Sequence, residues 1–135
     1  MRTGIQSLGD FSITAAATQV GTPVVSFEGA QALSVQMRLS YGAGGTNIKA
    51  YLQTSLDQGT TWIDIACVLF GTAGEVAVFN LSGLTPKTVQ LTPSDGVLAD
   101  DTVVDGVLGD RFRVKVISTG TYASSTTLAI RVLPR

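Results

Sequence analysis

The sequence predicts an all-β fold, a single-domain antiparallel β-sandwich of jelly-roll or immunoglobulin-like type with about eight or nine strands. Three observations carry that expectation. Helical periodicity is nearly absent. Gly, Thr, Ser and Val are frequent. Short runs of alternating apolar and polar residues are separated by turn residues. At 135 residues the chain is long enough to bury roughly two-thirds of its unfolded surface around one core.

Taken in order, "FSITAAATQ" (11–19) and "PVVSFEG" (23–29) read as strands flanking a "VGTP" turn. "AQALSVQMRLSYG" (30–42) alternates cleanly, with Val35, Met37, Leu39 and Tyr41 on one face and Gln36, Arg38 and Ser40 on the other. "GAGGT" (42–46) is a turn. "NIKAYLQTS" (47–55) places Ile48, Ala50 and Leu52 on the core side, with Asn47, Lys49, Tyr51 and Gln53 facing outward. "TWIDIACVLF" (61–70), "VAVFNLSG" (76–83), "KTVQLTP" (87–93), "RFRVKVIST" (111–119) and "STTLAIRVLPR" (125–135) complete the series. No internal repeat or domain linker interrupts it, so residues 1–135 read as one domain with an N-terminal arm over 1–10.

The segment "PSDGVLADDTVVDGVLGD" (93–110) departs from the pattern. It carries Asp95, Asp100, Asp101, Asp105 and Asp110, half of the ten acidic residues. A long connection of this kind usually has a functional or contact role. Arg111, Arg113 and Lys115 follow at once, spaced by two and therefore on one strand face. Acidic loop and basic strand can form an ion-pair seam within the chain. They can equally form a complementary surface against the next subunit, which sets register more than affinity. The second is the expectation, and Phe11, Asp95, Asp100, Asp101, Asp105, Arg111, Arg113 and Lys115 are the candidate interface residues.

The composition narrows the function classes. The chain has no histidine, which removes the commonest general base, the usual zinc ligand and every His-dependent nucleophilic arrangement. Its one cysteine, Cys67, lies in an apolar run and reads as a buried small hydrophobe. A net charge of −1 with 14% charged residues gives no footprint for direct nucleic-acid binding. No apolar stretch approaches the roughly 18 residues of a membrane span, and "MRTGIQSLGDF" lacks the apolar core of a signal peptide. Yet 44% of the residues are hydrophobic and the mean hydropathy is +0.33. So little polar surface suits a subunit that buries its outside against neighbours.

One short stretch invites chemistry. "SLDQGTTW" (55–62) fits S-x-D-x-G-x-x-W, the Asp-box pattern that recurs in sialidases. In such a hairpin Asp57 accepts backbone N–H bonds, Gly59 supplies a positive φ, Trp62 packs over the turn and Ser55 is a second local hydrogen-bonder. These jobs are structural. Asp57 and Asp64 also raise the question of a glycosidase pair, against which stands a strand-face Asp64 paired with an arginine from a neighbouring strand. Asp100, Asp101 and Asp105 offer hard oxygens for calcium but lack the spacing of a calcium loop, so no metal and no cofactor are expected. Tyr51, Trp62 and Tyr122 are the candidates for a weak sugar-stacking platform.

A wider resemblance covers about 25 residues. Gln53-Thr54-Ser55-Leu56-Asp57-Gln58-Gly59-Thr60-Thr61-Trp62-Ile63-Asp64-Ile65-Ala66, followed by Phe70, resembles a hairpin of small virion proteins of tailed bacteriophages, with Gln58 where a first glycine is common. The resemblance implies a non-enzymatic β-sandwich subunit located in the virion, repeated many times and contacting copies of itself and a major capsid or other virion protein. A capsid decoration or cement role is the first expectation. A neck, tail or fibre-attachment subunit is the second, and a carbohydrate-binding module the third.

Overall fold

The computed structural model describes residues 4–135. It contains two antiparallel sheets, one ordered β1-β11-β3-β7 and the other β2-β9-β5-β6-β8, with a small β10-β4 ribbon at one end. The strands are β1 (Gln6–Ser12), β2 (Ala17–Val20), β3 (Ala32–Ser40), β4 (Ala43–Gly44), β5 (Asn47–Ser55), β6 (Ile63–Phe70), β7 (Glu75–Ser82), β8 (Thr102–Val103), β9 (Arg111–Thr119), β10 (Tyr122–Ala123) and β11 (Thr127–Pro134). Setting aside the three two-residue elements β4, β8 and β10, eight strands remain, within the expected range. The architecture is a β-sandwich.

Alternation in the sequence becomes a core by period two. Leu33, Val35, Met37 and Leu39 of β3 enter the same hydrophobic cluster as Ile48, Ala50 and Leu52 of β5, Phe112, Val114 and Val116 of β9, and Leu128, Ile130 and Val132 of β11. Both sheets therefore close on one core. Of the longer strands, only β5 and β6 are consecutive in sequence and paired in one sheet. All the others hand the chain across the sandwich. The hairpin that carries the Asp-box is thus the one local pairing of two long strands among the described residues.

Three expected strands differ. The run 11–19 is divided, because the chain leaves β1 after Ser12 and enters the opposite sheet at Ala17, with Ile13 still buried at the crossing. Residues 23–29 make one bridge, Val24 with Phe112, and then turn, with Ala30 N–H donating to the Phe27 carbonyl at 3.0 Å. Phe27 is fully buried from this turn, so its apolar signal came from anchoring rather than from a strand. Residues 87–93 form no strand. Pro86 and Pro93 bracket them and lack the N–H that a ladder needs. The expected N-terminal arm is largely β1, paired with β11 along Gln6–Ser12, while residues 1–3 lie outside the described residues.

Gly45 shows how tightly the end ribbon is built. Its φ is +79°, and a Cβ there would overlap the ring of Tyr122, which is itself buried and donates its hydroxyl to the Gly71 carbonyl at 2.9 Å.

Candidate functional site

The site begins at the hairpin turn. Ser55 Oγ accepts the Gly59 N–H at 2.8 Å, and Asp57 Oδ1 accepts the Thr61 N–H at 2.7 Å and bonds to the Ser55 hydroxyl at 3.0 Å. Gln58 and Gly59 both have positive φ, 61° and 90°. Gln58 therefore adopts the left-handed conformation that glycine takes more easily, at a cost of roughly 1 kcal/mol. Its carbonyl accepts from Arg111 Nη1 at 3.1 Å, which ties the turn to β9. Trp62 packs beside Gly59, and the Arg113 guanidinium sits 4.1 Å above the Trp62 ring. Ser55, Asp57, Gly59 and Trp62 all take part in building this turn.

Behind the turn lies a buried polar network. Gln53, fully buried, donates from Nε2 to Asp64 Oδ1 and to Asp95 Oδ1, both at 2.7 Å, while its Oε1 accepts from Arg113 Nε at 2.7 Å. The amide is oriented by its neighbours, with its donors toward two carboxylates and its acceptor toward the guanidinium. Asp64 is 1% exposed. Besides Gln53 it accepts the Ser94 hydroxyl at 3.1 Å and the backbone N–H groups of Gly96, Val97 and Leu98 at 2.8, 3.0 and 3.2 Å. Successive N–H groups converging on one carboxylate form an anion nest. Here the chain supplies its own anion.

This geometry corrects several expectations. Asp64 does not pair directly with an arginine; Arg113 reaches it only through Gln53. Nor do Asp57 and Asp64 face a shared space, since each is engaged by its own turn or loop. Tyr51, expected to look outward, is 3% exposed. The 93–110 segment covers the outer face of the five-stranded sheet and removes from solvent residues that periodicity alone would expose. Trp62 and Tyr122 are buried as well, so the three rings form no platform. Burial pushes the Tyr51 hydroxyl up to about 12, reinforced by Cys67 beside it. Burial likewise pushes the Cys67 thiol up to about 11.

The acidic loop and the basic strand meet inside the chain. Asp95 lies 3.4 Å from Arg113 and 3.1 Å from Lys115, Asp110 lies 3.2 Å from Arg111, and Asp100 lies 3.3 Å from Lys49. Asp101 Oδ1 accepts the Leu69 N–H at 3.0 Å, and Asp105 accepts the Ser82 N–H and the Thr85 hydroxyl. Asp100, Asp101 and Asp105 thus point to three different partners and converge on no common point. The seam is internal, where a surface toward a neighbour was the expectation. Phe11, expected at an interface, is buried in the core.

Gln53 and the amides of residues 96–98 are the part of the site that residue patterns did not single out; Asp64 stands out in them only as half of a carboxylate pair or as the partner of an arginine. The available signal was the turn trio Ser94-Asp95-Gly96, with φ of +85° at Gly96.

The same contacts set a pH response. Backbone donation from Thr61 holds the Asp57 carboxyl below its ordinary value of 3.8, and donation from Ser82 does so for Asp105. At Asp95 burial opposes the shift, but the Gln53 bond, the Lys115 bond and the charges of Lys115 and Arg113 outweigh it. A depressed folded pKa contributes stability above the unfolded value that is lost as pH falls through the folded one. Cys67 and Tyr51, raised above 9.0 and 10.0, contribute stability that is fully present below those values and is lost as pH rises from them to the folded values of about 11 and about 12. Thermal melts are expected to show a plateau from about pH 5 to about pH 8, falling on both sides.

Comparison with protein-family models, curated proteins and solved structures finds no match to this chain.

Proposed function

We propose that this chain is a non-enzymatic structural subunit of a tailed-phage or phage-like particle, first of all a capsid decoration or cement protein. The observation that carries the reading is the β5–β6 hairpin, the segment that resembles virion proteins. Asp57, Asp64 and Gln53, the groups it would offer to chemistry, are already engaged in holding the fold: Asp57 by its turn, Asp64 by the 94–98 loop, and Gln53 by Asp64, Asp95 and Arg113. The apolar composition supports the same reading, because little polar surface suits burial against neighbours. Such a subunit works by bridging, with contacts of something like 800 Å² per partner multiplied by the symmetry of the shell.

The test is to mix the purified protein with DNA-filled heads of the particle that encodes it. Co-sedimentation at a fixed stoichiometry, with a higher temperature of head disruption, is the expected result. A closed ring that attaches at one vertex would move the role to the neck or tail. A protein that ignores both heads and tails would overturn the virion reading.

A further inference from the structure

Four strands lie at the edges of the two larger sheets, and three of them are poor templates for another chain. β1 is bent by a register shift between Ser7 and Gly9, β2 has four residues and β8 has two. β7 differs. Its eight residues, "EVAVFNLS", run in unbroken register with β3, contain no Pro or Lys, and carry one charged side chain, Glu75.

The hydrogen bonds determine which β7 residues face outward. Ala32 and Arg135 exchange backbone bonds at 3.1 and 2.9 Å, and Gln31 accepts from the Gly83 N–H at 2.8 Å. Bonded pairs recur at every second residue of an antiparallel ladder. The even residues of β3 therefore bond to β11 and the odd ones to β7, at Glu75, Ala77, Phe79 and Leu81. The backbone N–H and C=O of Val76, Val78, Asn80 and Ser82 point away from the sheet. Ser82 is already satisfied, donating to Asp105 and accepting from Gly106. Val76, Val78 and Asn80 have no partner for these groups among the described residues.

We infer that β7 pairs antiparallel with β7 of a second copy of this chain, about a two-fold axis at Val78. The free stretch is itself the argument for a self-partner. Its three residues are symmetric about Val78, so one register sets Val78 against its own copy and Val76 against Asn80. Two bonds at each of the three pairs then satisfy every free group on both chains. The same register sets Glu75 against Leu81, so the carboxylates do not meet. Val78, 71% exposed, adjoins a cleft lined by Ile5, Gln36, Arg131 and Leu133, and the pairing sets Val78 against its own copy. A net charge of −1 per chain opposes the approach little. The two four-stranded sheets become one continuous sheet. This pairing rests on the edge alone and holds whether or not the chain belongs to a virion.

Light scattering over a concentration series tests it. The wild type is expected to pass from monomer to dimer with a Kd on the order of 10–100 µM, as befits a small interface. Val78→Lys sets like charges against each other on the axis and is expected to weaken association at least ~100-fold, with an unchanged β-sheet spectrum. Asn80→Lys, which puts a charged side chain on the pairing edge opposite Val76 of the second copy, is the second variant if Val78→Lys perturbs the fold. A wild-type monomer across the whole series, or a dimer that both lysine variants leave intact, overturns the inference. A dimer that ignores particles leaves it standing and removes the virion reading instead.

Discussion

Asp64→Asn is expected to destabilise the folded chain by about 2–4 kcal/mol, the cost of leaving several buried donors without an acceptor. The carboxylate is 1% exposed and receives Gln53, Ser94 and three consecutive backbone N–H groups. An amide of the same shape turns an NH₂ toward N–H groups that can only donate. For a domain of this length the loss amounts to a fall in Tm of very roughly 8–15 °C. Asp95→Ala is the control. Its carboxyl meets Arg113, Lys115 and Gln53 but is about half exposed, and Gln53 keeps its bond to Asp64 without it; exposed ion pairs contribute about 0–1 kcal/mol. A thermal melt in which Asp64→Asn costs no more than Asp95→Ala would show that the nest is not an anchor.

Trp62→Ala should cost about 3–4 kcal/mol, near the lower end for removing a buried aromatic. The indole is 9% exposed, packs beside Gly59 and lies under the Arg113 guanidinium. Removing it opens a hole in the hairpin and leaves Arg113 without its ring. Trp62→Phe keeps part of the packing and should cost about half as much. The contrast with a sugar platform is sharp. There, the same substitution would remove binding and leave stability nearly unchanged. Chemical denaturation followed by circular dichroism, which does not depend on the lost indole, distinguishes the two.

The sandwich was legible because its core strands obey one local rule. Val35, Met37 and Leu39 in β3, and Ile48, Ala50 and Leu52 in β5, alternate with polar residues, and period two is a property of neighbours in sequence. The turn was legible for the same reason, since Ser55, Asp57 and Gly59 act within five residues of one another. What period two cannot report is a second layer laid over an outward face. Tyr51 and Gln53 alternate outward correctly, and the 93–110 segment then buries them. That covering depends on a carboxylate in β6 meeting backbone amides thirty-odd positions later. Long-range backbone donors leave no mark on composition. The same blindness led to the expectation of an outward charged surface, because Arg113 and Lys115 share a strand face whether that face meets solvent or Asp95.

Amide hydrogen exchange at Gly96, Val97 and Leu98, read against the Gly71–Gly74 turn, tests most directly whether the acidic segment is a built layer of the fold. Protection of the three amides well above that turn in the wild type, lost in Asp64→Asn, is the expected result. Exchange at the rate of an open loop in the wild type would mean that the segment is free, and that its charges are available to a neighbour after all.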